Sequence, residues 1–235
     1  MIFAVTIISV LAFALTNIFA KKMWHTALSI VFALLFIVSL CLITANDHYH
    51  YGMKKVTDTT TQALTSSADN KNMNMLLYQP LGNGTEKVYI YKTNEAQKKA
   101  KTTGTEHVTN VVKENQTKSQ LETKKTYWVY TNDTAKLWFS LSSKDRQLVK
   151  EKNTFSVEKD WVVLSTTQAK KLAKLAEDQK ATMETEAKAY VQEQVKAAMM
   201  KNPKMDQAEQ QKVIKQATAE YQQQAMAKMI AQAKK

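Results

Sequence analysis

A chain of 235 residues with 33 Lys and Arg against 21 Asp and Glu, a net charge of +12, has room for one or two modest domains and is strongly cationic. Its one cysteine, Cys41, excludes an intramolecular disulfide framework, and its four glycines leave little material for a phosphate loop or a nucleophile elbow. Its one arginine, Arg146, disfavours base-edge or bidentate phosphate recognition, so nucleic acid is a poor candidate partner.

From the N-terminus, two uncharged apolar runs, Ile2 to Ala20 and Thr26 to Ala45, are separated only by Lys21-Lys22-Met23-Trp24-His25. At about 1.5 Å per residue each covers roughly 30 Å of hydrocarbon with its backbone satisfied internally, so residues 1–46 predict a transmembrane helical hairpin. A cleaved leader fits poorly, because no basic residue precedes the first run and a second full-length run follows at once. Lys21 and Lys22 place the tight connection in the cytoplasm and both chain ends outside, although Lys54 and Lys55 pull the other way. The expected location is the cytoplasmic membrane, multi-pass, with the C-terminal region extracytoplasmic. Trp24 at one interface, and His48, Tyr49, His50 and Tyr51 at the other, would supply the aromatic belts where amphipathic rings suit the headgroup layer.

Removing Lys21, Lys22 and Asp47 leaves a net charge of +11 beyond Tyr51. Residues 47–74 read as an interfacial segment and polar stalk, since VTDTTTQALTSSADNKNMN at Val56 to Asn74 has too little apolar content to pack. From Met75 to Ser165 the period shortens to about two. MLLYQPL, EKVYIYK, EHVTNVVKE, ETKKTYWVYT, KLWFSL, RQLVKEKNTFSV and DWVVLS are short β-branched and aromatic runs bounded by turn residues. They predict a small antiparallel β barrel or sandwich over residues 75–165. Gly82-Asn83-Gly84 suits a tight hairpin, and Pro80 belongs at an edge. Among the aromatic residues most read as core, with Tyr127 or Tyr130 facing outward.

After Ser165 the period becomes 3.6, and residues 166–235 predict a basic long-helix hairpin. Ser165 to Gln168 has capping-box spacing. Leu172, Ala176, Gln179, Met183, Ala187, Tyr190, Gln194 and Ala198 then recur on one face up to the break at Asn202-Pro203. Asn202 with Pro203, or alternatively Asp206 with Glu209, starts the second helix, whose stripe is Met205, Val213, Ala217, Tyr221, Ala225 and Met229. Stripes so rich in Ala and Met are narrow, so the pair needs a further surface: a partner, the β domain or a second copy.

The fold class is therefore a membrane-anchored α+β chain. NDHYHYGMKK at Asn46 to Lys55, MLLYQPLG at Met75 to Gly82, VYIYK at Val88 to Lys92, WVVLSTTQAKKLAKL at Trp161 to Leu175 and KNPKM at Lys201 to Met205 carry a resemblance. The chain resembles a small family of uncharacterised two-span membrane proteins of low-GC Gram-positive bacteria, a domain of unknown function. The resemblance implies a Gram-positive envelope and no catalytic role for any residue.

Candidate sites are few. Asp47-His48-Tyr49-His50 has borderline metal ligands, but alternate residues of a helix do not face one another, and the aromatic-belt reading takes precedence. Asn83, Asn115 and Asn132 match N-x-[ST] and read as turn residues. No catalytic residue, cofactor or metal is assigned, and the chain reads as non-enzymatic. The first expectation is a cell-surface accessory protein anchored in the lipid bilayer, whose cationic region meets anionic envelope polymers or a membrane partner. Lys170, Lys171 and Lys174 are its candidate polyanion contacts and Tyr190 and Tyr221 its partner contacts, with a homo-oligomer as a further option. The alternatives are an accessory subunit of a transporter, contacting it through Ser9, Thr16, Asn17, Ser29 and Ser39, and a cytoplasmic-facing protein whose tail meets anionic lipid or nucleic acid.

Overall fold

The computed structural model describes residues 1–19, 23–68 and 73–235. The elements in chain order are α1 (Ile2–Ile18), α2 (Met23–Tyr49), β1 (Met53–Ala63), β2 (Asn74–Leu81), β3 (Glu86–Tyr91), β4 (Lys101–Thr102) and β5 (Val108–Gln116). There follow β6 (Gln120–Tyr130), α3 (Asp133–Phe139), β7 (Gln147–Glu158), β8 (Trp161–Ser165), α4 (Thr166–Asp178), α5 (Lys180–Lys201) and α6 (Gln207–Lys234). The α+β chain divides into two compact units, residues 1–63 with 104–157 and residues 64–103 with 158–235. Lys21 and Lys22 lie outside the described residues.

In the first unit α1 and α2 pack against each other with the polarity of a water-soluble pair inverted. Ser9, Ser29, Ser39 and Asn46 are buried, while Ile7, Ile8, Leu11, Leu15, Ile30 and Leu34 are each more than half exposed. The Thr6 hydroxyl lies 3.0 Å from that of Ser39, and the Asn17 amide donates to Ser29 at 2.6 Å. The small polar side chains Asn17, Ser29 and Ser39 are thus engaged within the pair. Helix α2, of 27 residues, is long and apolar enough by length and composition to cross a membrane. Helix α1, of 17 residues, is shorter than the expected first span and ends at Ile18, with Phe19 as its C-cap.

The same unit holds a four-stranded sheet in the order β1-β6-β7-β5. Strand β1 runs through the segment read as a stalk, paired antiparallel with β6 from Met53↔Tyr130 to Ala63↔Gln120. Being an edge strand, it satisfies its backbone on one side and leaves most of its Thr, Lys and Gln side chains in solvent, so no apolar alternation marks it. KLWFSL, expected as a strand, instead contributes to α3, because Asn132 caps that helix by accepting from the Ala135 N–H at 2.8 Å. Of the two tyrosines expected as outward members, Tyr130 is buried and Tyr127 is half-buried.

The second unit holds a sheet in the order β4-β3-β2-β8, in which β2 pairs antiparallel with β3 and parallel with β8. The strands form two sheets, and the β2–β8 pair departs from the expected purely antiparallel arrangement, joining in parallel segments more than 80 residues apart that no local signal links. Gly82 and Gly84 take positive φ, 53° and 86°, in the β2–β3 turn. Pro80 sits where β8 has ended and only β3 pairs with β2, so its missing N–H leaves no ladder bond unmade.

Helix α4 begins at the expected capping box of Ser165 and Gln168. The expected first long helix divides at Gln179 into α4 and α5, and α6 starts at the Asp206–Glu209 box rather than at Pro203. Leu172 of α4 and Met229 and Ala233 of α6 join Met75 and Leu164 of the sheet in a buried core, so the surface that steadies the helices is the sheet of their own unit. No side chain of α5 is fully buried.

Candidate functional site

In the first unit His48, Tyr49, His50 and Tyr51, four of the residues expected at a membrane interface, lie where α2 meets the sheet. Helix α2 stops after Tyr49 because His50 adopts a left-handed φ of 56°, and the chain then corners at Gly52, φ 81°. The corner is closely bonded. The Tyr51 N–H donates to the Ala45 carbonyl at 3.0 Å and the buried Asn46 amide donates to the Tyr51 carbonyl at 2.7 Å. The Met53 N–H donates to His50 at 2.9 Å, while both the N–H and the hydroxyl of Thr131 donate to the Gly52 carbonyl at 3.0 Å.

The aromatic residues around this corner divide between solvent and packing. The His50 ring stacks on Trp128 at 4.3 Å between centroids, and the Lys55 ammonium lies 4.8 Å from the centre of the same indole. His48 meets Tyr49 edge-on at 5.4 Å, and Tyr51 meets Phe139 edge-on at 6.1 Å. Tyr49 and Tyr51 are 77% and 58% exposed, and Trp24, at the opposite end of α2, is 74% exposed. His48 and His50 are engaged by different rings, and among the described residues no group of three or more His, Cys, Asp or Glu could hold a metal ion.

Beneath the corner Ile2, Met53, Tyr130 and Phe139 form a buried cluster, with Phe3, Leu42 and Ile43 packed against it. The Tyr130 hydroxyl is within donating distance of the Phe139 and Ser143 carbonyls, at 2.8 and 2.7 Å, and burial holds it above the usual tyrosine range. Helix α3 and the turn after it are tied to the helical pair by three hydrogen bonds. The Met1 amine donates to the Leu137 and Trp138 carbonyls at 2.9 and 3.2 Å, and the Ser142 hydroxyl donates to the Ile43 carbonyl at 3.4 Å. Lys136 and Asp145 pair at 2.8 Å; their hydrogen bond holds the Asp145 carboxyl below and the Lys136 ammonium above their ordinary ranges. An open hollow of about 470 Å³ lies between Phe3, Ile43, Thr44, Asp47, His48 and Ser142.

Sequence reasoning missed the outer face of this helix. Leu137, Trp138 and Leu141 are 56%, 38% and 75% exposed, while Phe139 between them is buried. Reading Asn132-Asp133-Thr134-Ala135 as a capped helix start rather than a hairpin turn would have placed them together.

In the second unit Lys170, Lys171 and Lys174 are exposed on α4. Tyr190 and Tyr221 face each other across α5 and α6, their rings 5.8 Å apart, and the Tyr221 hydroxyl donates to Glu186 at 2.8 Å. Burial and the Glu186 carboxylate hold Tyr221 above the usual tyrosine range. These two rings join one helix of the unit to another. Asn83 acts as the expected turn residue, accepting from the Thr85 N–H at 3.2 Å, whereas Asn132 is the N-cap of α3. Asn115 takes a left-handed φ of 57° near the end of β5.

Residues 21–172 match the family described as Domain of unknown function (DUF4811), and the chain belongs to that family. No curated protein matches, and no solved structure matches. The matched stretch takes in the corner, both sheets and Lys170 and Lys171 of α4, and it ends before Lys174, α5 and α6.

Proposed function

We propose that this family member is a non-enzymatic accessory protein of the cytoplasmic membrane of a Gram-positive cell. In this reading α1 and α2 form a two-span hairpin in the bilayer, and the remainder stands outside the membrane to bind anionic envelope polymers or a membrane partner. The inverted polarity of the hairpin carries the reading: apart from Ile2 at its start, which packs under the corner, its buried residues are Ser9, Ser29, Ser39 and Asn46, while Ile and Leu side chains along both helices are exposed. In water each exposed side chain of that size costs about 1.5–3 kcal/mol relative to burial, whereas hydrocarbon solvates it and favours polar contacts turned inward. Helix α1 is about one turn shorter than a typical span, a mismatch that the bilayer accommodates by thinning or tilt at modest cost. Orientation rests on Lys21 and Lys22 in the connection. The rest of the chain contributes charge, and exposed lysines such as Lys170, Lys171 and Lys174 attract polyanions without needing a shaped pocket.

The test is extraction followed by topology mapping. The full chain should stay with membranes through alkaline carbonate and leave them only in detergent. Cysteine placed at the exposed turn residue Asn83, in a Cys41→Ser background, should react with a membrane-impermeant maleimide on intact cells. Release by carbonate would refute insertion, and labelling only after lysis would reverse the orientation.

A further inference from the structure

We infer that the outer face of α3 and the residue just beyond it, Leu137, Trp138 and Leu141, form a second lipid contact that seats the first unit on the bilayer surface beside the hairpin. The inference rests on the reading of α1 and α2 as membrane-inserted and adds a docking surface to it. Three observations place this face at the membrane. The Ser142 hydroxyl bonds to the Ile43 carbonyl, six residues before α2 ends at Tyr49 and therefore about 9 Å back along the helix, inside the uncharged run that ends at Ala45. The Leu137 and Trp138 carbonyls accept from Met1, at the start of α1, so the last turn of α3 is level with the beginning of the other apolar helix. Between these tethers, the three exposed side chains are large and apolar.

A hairpin whose apolar length lies in hydrocarbon brings the loop touching Ile43 to the acyl–headgroup boundary, because its attachment point is already there. The side chains suit that depth. Leu141 is 75% exposed and Leu137 56%, and Trp138 offers an indole that favours the headgroup layer. Tyr49 and Tyr51 at the end of α2 are exposed too, and Tyr51 packs on Phe139 of α3, so the aromatic layer continues from α2 to α3. Lys136 and Lys144 flank the patch in sequence and add positive charge that favours anionic headgroups nearby, Lys136 being paired with Asp145. The occupant is a lipid surface: the patch is continuous with the lipid-facing helices.

The test uses the full chain reconstituted in phosphatidylcholine–phosphatidylglycerol vesicles, with one nitrobenzoxadiazole probe per molecule on a cysteine introduced into the Cys41→Ser background. The labelled sites are Leu141→Cys on the patch, Leu34→Cys in the middle of α2, and Asn83→Cys in the β2–β3 turn as the aqueous reference. Doxyl lipid should quench both Leu34→Cys and Leu141→Cys with blue-shifted emission, Leu141→Cys most strongly by doxyl groups near the headgroup, and leave Asn83→Cys bright. Quenching at Leu34→Cys with emission at Leu141→Cys as bright as at Asn83→Cys would overturn the lipid contact and leave the hairpin reading standing. Loss of quenching at both sites would overturn the two together.

Discussion

At the scale of single residues, the most consequential side chain is Tyr130, whose buried hydroxyl closes the turn after α3 onto the end of β6. Replacing it with Phe keeps the ring and removes the hydroxyl, while the Phe139 carbonyl retains the Ser142 and Ser143 N–H donors, so Tyr130→Phe should cost about 0.5–1.5 kcal/mol, the net contribution of one hydrogen bond, read as a lower urea midpoint for detergent-solubilised protein. The Lys136–Asp145 pair makes a smaller contribution and a pH-dependent one. The Asp145 carboxyl is depressed in the folded state, so its stabilisation is full above the unfolded value near about 4 and fades as pH falls through the folded value. The urea midpoint of Asp145→Asn should therefore lie below that of the parent at pH 6 and converge with it toward pH 2. Both partners are solvent-accessible, so the difference should be small and should shrink in salt.

Among elements, strand β1 sets what can fold alone. A fragment of residues 75–165, the expected β domain, lacks the strand that pairs with β6 along its whole length and lacks Leu172, Met229 and Ala233 from the second core. It should show no cooperative thermal transition by circular dichroism. Features legible in the sequence were those that local chemistry decides: the Gly82–Gly84 turn, the boxes at Ser165 and Asp206, and the Tyr190 and Tyr221 stripes. Those it hid depend on distant partners or on a choice between two local signals. Strand β1 takes its stability from β6, β8 finds β2 across more than 80 residues, and KLWFSL alternates like a strand until Asn132 caps it as a helix. The aromatic cluster from His48 to Tyr51 was visible in the sequence, but Phe139 of α3, which packs on Tyr51, was hidden by the misread period of KLWFSL. The pairing of α5 with α6 is the weaker join of the second unit, so Tyr190→Ser with Tyr221→Ser should speed amide exchange along α5 and leave Leu172 and its neighbours protected.

For the whole molecule, the excess of lysine is a property of the surface rather than of a pocket. Replacing Lys170, Lys171 and Lys174 with Gln should weaken binding to an anionic polymer such as polyphosphate at low salt, with the difference vanishing at high salt and circular dichroism unchanged. No binding by the parent at low salt would remove the polyanion from the proposed function and leave the hairpin intact.

The corner between α2 and β1 has a mechanical meaning. Only three residues separate the end of the apolar helix from a strand hydrogen-bonded along its length into a sheet, and those residues are fixed by bonds from Tyr51, Asn46, Met53 and Thr131. A stalk would let whatever it carries tumble at the end of a tether. This joint behaves as a welded bracket: torque applied to the sheet turns the helix, and tilt of the helix reorients the sheet. Under the proposed insertion of α2, a load captured by this unit would pass along the helix as strain rather than be absorbed as slack.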